Sequence, residues 1–531
     1  MNRLNFLSER SGACVLRVWR AACVCAVSVL GLAPSVRAAQ NEAKPNVLFI
    51  LVDDMGWQDT SVPFQVNANG QSVASPGNGI FKTPGMEKLA ERGMRFTQAY
   101  TPSVCSPSRT AIMSGLNPSR THISNWTDPG QPRDTSMHGI KTMNPPAWRI
   151  QGLTAKDPSL AKMFKGAGYR TIFVGKAHFG PTPNKEAQPK ALGFDVNIGG
   201  CGAGQPGSYY GKDNYAEKAF REQKKMGPRD VPDLDKYHGS DTFLTDALNT
   251  EMTREIKKSV DMKKPFFAYF GHYAVHGPLM MDPQFEATYP GLNGALKKYA
   301  TLISGMDKSI LSLLDTLEKE GVAENTLIVF ASDNGGTAPK PQPCQPLRGM
   351  KGTPYEGGIR TPLIIAWAKP NPDNPLQKKY AIKPGSTCDH VVALQDMFAT
   401  FGSMVKGKVP AKLDSQDISG LLTEGGKCNR PQTYFLNFPH EHQDAYYVLL
   451  RDGDWKVIYR YHKKAWELYN LKDDIGEQKN LADAEPKKLA EMARKLVAEH
   501  KRHDAQFPID AQTKKPAQFV MPGAAASSGK G

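Results

Sequence analysis

The chain has 531 residues, of which 40% are hydrophobic and 22% are charged, and its formal net charge at pH 7 is +15. This composition excludes an acidic disordered protein and provides enough apolar side chains for a large buried core. Nucleic-acid binding is not indicated, because the sequence has no zinc-ligand spacing, helix-turn-helix pattern or aromatic-basic repeat.

Residues 1–38 have the three parts of a secretory signal peptide. Four arginines precede a largely apolar run at 21–33, and the small-residue cleavage site Val36-Arg37-Ala38 follows. The apolar run has 13 residues, whereas a membrane-spanning helix needs ~20. We therefore expect an exported protein, periplasmic or secreted, that has no stable membrane span after cleavage.

The cysteines that remain after this cleavage are odd in number. One thiol of an exported chain is therefore expected to stay unpaired, while the others could form up to two disulfides. The sequence leaves the pairing open. The five are Cys105, Cys201, Cys344, Cys388 and Cys428.

Apolar runs alternate with helical patterns along the chain. Such runs are typical of strands that are covered on both faces. The alternation predicts an α/β fold in which helices sandwich a large, mostly parallel sheet. The predicted strands are 47–52, 171–174, 266–270, 327–330 and 363–365, and the predicted helices are 84–93, 158–168, 241–259 and 297–321.

The pattern changes after residue 430. Strands at 446–450 and 455–459 flank an Asp-Gly turn, which predicts a β-hairpin, and a helical pattern covers 486–500. Gln, Lys, Pro, Gly, Ala and Ser dominate the end of the chain. We predict a large domain at 45–430, a smaller C-terminal α+β subdomain with a short antiparallel sheet at 431–509, and a disordered tail at 510–531.

Polar side chains follow four of the predicted strands. In open α/β sheets, ligands bind beyond the carboxyl ends of the strands, so we expect these side chains to converge. A single Asp in such a place is usually a helix cap or turn residue, but four such endings are harder to explain in that way. The residues are Asp53 and Asp54, Lys176 and His178, His276, and Asp333 and Asn334.

Four of these residues form a candidate metal site. Asp53, Asp54, Asp333 and Asn334 offer only oxygen ligands, which indicates a hard cation such as Ca²⁺ or Mg²⁺. The neutral amide oxygen and the crowded carboxylates favour Ca²⁺. Three carboxylates exceed a dication by one charge, so positive side chains are expected nearby. The candidates are Arg109, Lys176 and Lys351.

The segment 101–115 contains the expected unpaired cysteine. Ser106 is a predicted N-cap and Pro107 suits a first helical turn, so Cys105 is placed just before a helix N-terminus. Such an end favours an anion. Arg109 lies one turn into that helix, where its guanidinium can face the same anion. The alternative is a buried structural cysteine beside a helix start.

This segment resembles the signature of the type I sulfatases, a family of the alkaline-phosphatase-like superfamily. Cys105-Ser106-Pro107-Ser108-Arg109 matches their Cys-x-Pro-x-Arg pattern, and the resemblance extends from about 45 to 482. The other matching segments, in order, are Asp53-Asp54, Gly175-Lys176-Ala177-His178-Phe179-Gly180, Val275-His276-Gly277-Pro278, Asp333-Asn334-Gly335-Gly336, 348–358 and Glu467-Leu468-Tyr469-Asn470-Leu471.

The resemblance implies that Cys105 is oxidised to formylglycine by a formylglycine-generating or anaerobic sulfatase-maturating enzyme. Residue 105 would then join the metal ligands, and its hydrated aldehyde would attack the sulfur of a sulfate ester. By position, the implied roles are Arg109 holding the modified side chain, Lys176 and Lys351 binding sulfate oxygens, His276 acting as general acid and His178 as base.

We therefore predict an exported sulfatase, a sulfuric ester hydrolase, whose substrate is a sulfated carbohydrate. Its basic surface favours encounter with a polyanion. Lys176, His276, Lys351 and His440 are the predicted substrate-binding residues, with His442 and Trp126 as further candidates for contact with a sugar. Two alternatives remain: a phosphoester or phosphonate hydrolase with the same site, and a sulfated-glycan-binding protein in which Cys105 is never oxidised.

Overall fold

The five apolar runs predicted as strands lie in one eight-stranded sheet. The computed structural model describes residues 44–67, 69–337, 345–423 and 425–523. The predicted signal peptide and Cys344 lie outside these residues. The strands are β1 Asn46–Val52, β2 Gln65–Val66, β3 Ser72–Val73, β4 Gly93–Phe96, β5 Ala99–Tyr100, β6 Met143–Asn144, β7 Arg170–Gly175, β8 Val196–Ile198, β9 Phe266–Gly271, β10 Thr326–Ser332, β11 Leu363–Trp367, β12 Ser386–Cys388, β13 Val392–Ala393, β14 Thr433–Glu441, β15 Ala445–Asp452, β16 Trp455–Arg460, β17 Ala465–Asn470 and β18 Ile509–Asp510.

The helices include all five of the predicted ones, with ends that differ by a few residues. Among the described residues, no helix is both long and apolar enough to cross a membrane. The helices are α1 Pro76–Ile80, α2 Pro84–Arg92, α3 Cys105–Ser114, α4 Pro118–Thr121, α5 Leu160–Gly166, α6 Lys218–Glu222, α7 Leu244–Asp261, α8 Gly294–Lys319, α9 Glu356–Ile359, α10 Pro375–Lys379, α11 Met397–Val405 and α12 Pro486–Arg502.

The large sheet is buried on both faces. Its central strand β1 sends Leu48, Ile50 and Val52 into a core shared with α2, α7 and α8. The alternate residues of β1 enter a second core shared with α3, α5 and α11. All seven residues of this strand are buried. Both faces of the strand are therefore apolar, which explains the continuous apolar run in the sequence.

The order of strands in the large sheet is β12-β4-β11-β10-β1-β9-β7-β8. Five of the seven neighbouring pairs are parallel, and β11 is antiparallel to both of its neighbours. The predicted fold class, a mostly parallel sheet between helices, is confirmed. Because β10, β1, β9 and β7 are adjacent and parallel, their carboxyl ends meet at one edge.

The C-terminal part forms a second sheet of four antiparallel strands in the order β14-β15-β16-β17. The predicted hairpin is present as β15 and β16, and Gly453 in its turn has a φ of 58°, which glycine adopts without strain. Helix α12 packs on this sheet through Leu489, Met492 and Leu496. The predicted α+β subdomain with a short antiparallel sheet is therefore confirmed.

The predicted disordered tail is wrong for residues 510–523. Strand β18 pairs with β6, and the indole nitrogen of Trp466 donates a hydrogen bond of 2.7 Å to the carbonyl oxygen of Val520. The ring of Phe519 stacks on that of Trp466 at 6.1 Å. A few apolar side chains hold this polar stretch against the C-terminal sheet, which its average composition hides. Residues 524–531 lie outside the described residues.

A buried group of charges joins the C-terminal sheet to the segment that precedes β11. Lys456 Nζ lies 3.0 Å from Glu356 Oε1 and 2.9 Å from Glu477 Oε1, and all three side chains are fully buried. Burial raises the pKa of Glu477 to about 7, although Lys456 opposes the change. Burial acts in the same direction on Glu356, but Lys456 and Arg360 lower the pKa of Glu356 to about 2. One lysine therefore holds two carboxyl groups together.

Candidate active site

Backbone hydrogen bonds continue beyond the strands and fix the polar residues that follow them. The amide of Asp53 donates to the carbonyl of Ala274 at 3.1 Å, and the amide of Asp333 donates to that of Val52 at 3.0 Å. The amide of Lys176 donates to the carbonyl of Gly271 at 2.7 Å. The parallel strands therefore bring together the residues that the sequence predicted at this edge.

Each of the three carboxylates at this edge has its own cation. Lys176 Nζ lies 2.5 Å from Asp53 Oδ2, and Lys351 Nζ lies 2.6 Å from Asp54 Oδ1. Arg109 Nε lies 2.7 Å from Asp333 Oδ2. The three negative and three positive charges cancel. The expectation that Arg109, Lys176 and Lys351 lie beside the carboxylates is met by these contacts.

The carboxylate edge includes a group of side chains that fits a metal ion. Ligand atoms of Asp53, Asp54, Cys105 and His276 all lie within 4.8 Å of one another. Asp53 Oδ1 and Asn334 Oδ1 are buried without a hydrogen-bond partner. Buried polar atoms are rarely unpaired, so these two oxygens have the character of metal ligands.

Two residues of this region differ from the predicted ligand set. His276 belongs to the group, although the sequence did not predict it as a ligand. Asp333 accepts hydrogen bonds from Arg109 and from the amide of Asp54, at 2.7 and 3.2 Å. The role of Asp333 as a ligand and the choice of Ca²⁺ over Mg²⁺ stay predictions.

Helix α3 begins at Cys105, two residues earlier than predicted, with Val104 as its extended N-cap. Ser106 is inside the helix, where its hydroxyl accepts a hydrogen bond of 3.0 Å from the amide of Thr127. Cys105 is 3% exposed. Burial would raise the pKa of its thiol, but Lys176 and Lys351 lower it to about 7. The surroundings therefore favour a negative charge at residue 105.

Arg109 lies at the bottom of the site and is fully buried. Besides Asp333, it binds the carbonyl oxygen of Lys176 through Nη1 at 2.9 Å. Its Nη2 has no hydrogen-bond partner and lies 3.7 Å from Asp53 Oδ1. Arg109 thus connects three of the strand ends. Its contact with a modified residue 105 stays a prediction.

The pKa values of the two histidines of the site shift in opposite directions. His178 Nε2 donates a hydrogen bond of 2.8 Å to the carbonyl oxygen of Thr127, which leaves Nδ1 as a buried acceptor without a partner. Burial and Lys176 lower the pKa of His178 well below its usual value. Burial would also lower the pKa of His276, but Asp54, 3.4 Å away, raises it. His178 is thus neutral and has an unpaired acceptor at Nδ1, whereas His276 favours its protonated form; their roles as base and acid stay predictions.

A cavity of ≈ 200 Å³, the catalytic cavity below, opens above Cys105. His178, His276 and Lys351 line it, whereas Lys176 lies beneath Asp53 and is not among the described lining residues. The binding of sulfate by Lys176 therefore stays a prediction. The lining also includes Trp126, Gln205, Arg229 and His442.

Gln205 and Arg229 were not predicted from the sequence. Both lie on the long connection between β8 and α7. Such a connection has no regular hydrophobic period, and its length was the only available signal, because long loops often carry function.

The structure corrects the assignment of His440 as a substrate-binding residue. His440 is fully buried, and its two ring nitrogens are each 2.8 Å from a serine hydroxyl, those of Ser124 and Ser136. It does not line the catalytic cavity, whereas His442 does. The register of β14 against β15 shifts between Phe438 and Glu441. Because of this bulge, the alternation of residues along the strand does not predict on which face of the sheet the side chains at the strand end lie.

Two buried histidines outside the cavity predict acid sensitivity of the fold. Burial lowers the pKa of His440 to about 3 and that of His500 to about 4. An unfolded histidine titrates near 6.5, so below that pH the unfolded chain binds more protons, and the folded state loses stability as pH falls. We expect each histidine to cost about 2 kcal/mol at pH 5. Thermal unfolding between pH 7.5 and 5 measures this loss.

The matched variant for the acid-sensitivity test is His440→Gln. Gln does not titrate, so the Tm of this variant should fall less steeply between pH 7.5 and 5 than that of the wild type. Equal slopes for the two proteins would show that His440 does not contribute.

A substitution at Gly204 can test the predicted role of His178 while His178 itself is unchanged. A Cβ at residue 204 would lie 2.6 Å from the His178 ring, which is buried and cannot move away easily. We expect Gly204→Ala to reduce kcat at least 10-fold, because displacement of a catalytic group by about 1 Å has effects of ~10²-fold. Steady-state kinetics at saturating substrate measures the change.

The control for Gly204→Ala is Gly239→Ala, at an exposed position where a Cβ meets nothing within 4 Å. Because Gly239 has a φ of 75°, this variant reports on backbone strain without contact to the site. A Gly204→Ala protein with wild-type kcat would contradict the assignment of His178.

The large sheet, the polar residues at its strand ends and the buried cysteine agree with the alkaline-phosphatase-like fold that the sequence resemblance implies. A family model described as sulfatase matches residues 45–406, and one described as N-sulphoglucosamine sulphohydrolase, C-terminal, matches residues 350–506. The chain therefore belongs to the sulfatase family. It is a sulfuric ester hydrolase.

Curated relatives and solved structures agree with this assignment. A sulfatase of Formosa agariphila is 27% identical over 86% of this chain and 87% of its own length. The N-acetylgalactosamine-6-sulfatase of Mus musculus is 28% identical over 77% of this chain and 71% of its own length. The crystal structure of Ps i-CgsB in complex with k-i-k-neocarrahexaose has a TM-score of 0.66 and 25% identity, covering 87% of this chain and 94% of that chain.

Proposed function

We propose that the protein is an exported sulfatase that hydrolyses sulfate esters of a sulfated carbohydrate through a formylglycine formed from Cys105. The observation that carries this proposal is the position of Cys105. It lies at the start of a buried helix, in one group with Asp53, Asp54 and His276, and in a positive field that lowers the pKa of its thiol to about 7.

We place Ca²⁺ among Asp53, Asp54, residue 105, Asp333 and Asn334. The two unpartnered oxygens, Asp53 Oδ1 and Asn334 Oδ1, support this site. Because Ca²⁺ prefers oxygen ligands, His276 stays free to transfer protons. The formal side-chain charges of the three carboxylates and three cations cancel, so a bound dication makes the site more positive, which attracts a sulfate ester.

The main residues of the site then each have a role in the hydrolysis of the sulfate ester. The formylglycine hydrate and the cation would supply an oxygen nucleophile of lowered pKa for attack at sulfur. Lys351, at the cavity wall, stabilises charge on the sulfuryl oxygens, and Lys176 holds Asp53 in place and adds positive charge from below. His276 donates a proton to the leaving oxygen, and His178 Nδ1 accepts the proton that is released when sulfate departs.

Three observations support a carbohydrate substrate outside the cytoplasm. Residues 1–38 have the pattern of a signal peptide. The name of one relative, N-acetylgalactosamine-6-sulfatase, and the neocarrahexaose in the Ps i-CgsB complex both refer to carbohydrates. The chain has more Lys and Arg than Asp and Glu, and this excess persists without residues 1–38, which favours encounter with a polyanion.

The activity is tested by free-sulfate release from defined sulfated mono- and oligosaccharides, with nitrophenyl sulfate and nitrophenyl phosphate in parallel. We expect sulfate release from at least one glycan and a lower kcat/KM for the phosphate. A preference for the phosphate would favour the phosphoester hydrolase. Binding of sulfated glycans without release of sulfate would favour the binding protein.

The modification and the metal are tested on the same preparation. Mass spectrometry of the tryptic peptide 96–109 should show a mass about 18 Da below that of the thiol form. Removal of divalent ions with a chelator should abolish sulfate release, and Ca²⁺ should restore it better than Mg²⁺. An intact thiol in fully active protein would contradict the proposal, as would full activity after chelation.

A further inference from the structure

Resting on the proposed function, we propose that a second cavity beside Trp126 binds the sugar next to the sulfated one, so that the protein prefers sulfated oligosaccharides to monosaccharides. This second cavity, the outer cavity below, has a volume of ≈ 460 Å³. Trp126, Pro129 and Arg229 line both the outer and the catalytic cavity. The two cavities therefore adjoin at these three residues, and the outer cavity lies next to the one above residue 105.

The volumes indicate that the two cavities together hold more than one sugar. Ligand pockets for drug-sized molecules have volumes of about 300–1,000 Å³. The catalytic cavity, at ≈ 200 Å³, is below this range and suits a single sulfated ring. The outer cavity is more than twice as large. A monosaccharide would leave the outer cavity unused, whereas an oligosaccharide would extend into it.

The wall shared by the two cavities is fixed to the catalytic groups. The residue after Trp126, Thr127, binds the hydroxyl of Ser106 through its amide at 3.0 Å and accepts from His178 Nε2 through its carbonyl at 2.8 Å. The Trp126 amide donates to Asn125 Oδ1 at 2.9 Å. The backbone at Trp126 is thus held one residue away from contacts to both α3 and His178, and its half-buried indole offers a surface on which a sugar ring can stack.

The chemistry of the outer cavity suits a sugar better than an apolar ligand. Asp128 accepts hydrogen bonds from the amides of Gly130 and Gln131, at 2.8 and 3.1 Å, and forms an ion pair with Arg133 at 2.6 Å. Arg229, which also lines the outer cavity, pairs with Glu217 at 2.8 Å and is 44% exposed. Charged hydrogen-bonding groups in the same cavity as an aromatic side chain can bind the hydroxyls and acidic groups of a glycan.

The test compares kcat/KM for matched pairs of probes: N-acetylgalactosamine 6-sulfate against a chondroitin sulfate oligosaccharide with the same terminal group, and a sulfated galactose against neocarrahexaose. Nitrophenyl sulfate reports on the catalytic cavity alone. We expect the oligosaccharide of the productive pair to have a kcat/KM at least 10-fold above that of its monosaccharide. Equal values in that pair would overturn the inference and leave the proposed function intact.

The variant Gln131→Trp fills the outer cavity from an exposed position that does not line the catalytic cavity. We expect it to reduce the oligosaccharide-to-monosaccharide ratio of kcat/KM at least 5-fold. The matched control is Gln223→Trp, an exposed change outside the lining of both cavities, which should leave the ratio unaltered. Equal ratios for Gln131→Trp and Gln223→Trp would overturn the inference. Failure of every glycan and of nitrophenyl sulfate to release sulfate would overturn the proposed function as well.

Discussion

We expect Cys105→Ser to abolish turnover, with kcat reduced by on the order of 10⁴-fold or more, because removal of a catalytic nucleophile has effects of this size. The serine hydroxyl replaces one oxygen of the proposed formylglycine hydrate but lacks the second. The variant would fail to attack sulfur or would be unable to release sulfate afterwards. Free-sulfate release over many turnovers, together with mass spectrometry of the intact protein, measures both possibilities.

The fold of this variant should be retained, since serine has nearly the same volume as cysteine and residue 105 is 3% exposed. The matched control is Cys388→Ser, which changes a partly exposed cysteine on the edge strand β12. We expect the control to keep wild-type kcat. Multiple turnover by Cys105→Ser at the wild-type rate would refute the formylglycine route.

We expect Lys456→Met to destabilise the protein by about 3–5 kcal/mol, the usual cost of removing one partner of a buried ion pair. The change leaves Glu356 and Glu477 fully buried without the lysine that holds them. Burial already raises the pKa of Glu477 to about 7, so this carboxyl group is the less stable of the two as an anion. Denaturant unfolding at pH 7.5 measures the loss.

A surface control separates the buried pair from a general effect of charge. Lys463→Met removes an exposed lysine from the turn between β16 and β17, and should change stability by less than about 0.5 kcal/mol. Glu477→Gln combined with Lys456→Met should recover part of the loss, since one buried charge is then removed. Equal stability of Lys456→Met and Lys463→Met would show that the buried charges do not contribute.

Local sequence patterns were sufficient to predict the framework of the site. The apolar runs of β1, β7, β9 and β10 predicted buried strands, and all four lie in the large sheet. Because parallel strands end at one edge, the polar residues after them converge regardless of how the loops fold. This explains why Asp53, Asp54, Lys176 and Asp333 are found together.

The walls of the two cavities could not be predicted in the same way. Gln205 and Arg229 reach the catalytic cavity from a long connection, whose path depends on contacts with distant segments. Whether His440 or His442 lines the catalytic cavity depends on a β-bulge, which strand alternation does not reveal. The tail up to residue 523 is ordered by contacts of Phe519 and Val520 with Trp466, which composition does not report.

The buried charge group has a consequence for truncated forms of the protein. Glu356 is five residues after Lys351, and the side chain of Glu477 accepts a hydrogen bond of 2.7 Å from the Glu356 amide. Arg348, which precedes Lys351 by three residues, donates a hydrogen bond of 2.8 Å to the carbonyl oxygen of Glu477. Glu477 therefore bonds to the chain on both sides of Lys351, so a polypeptide that ends before residue 477 would lack these two contacts although it contains the lining residues of the catalytic cavity.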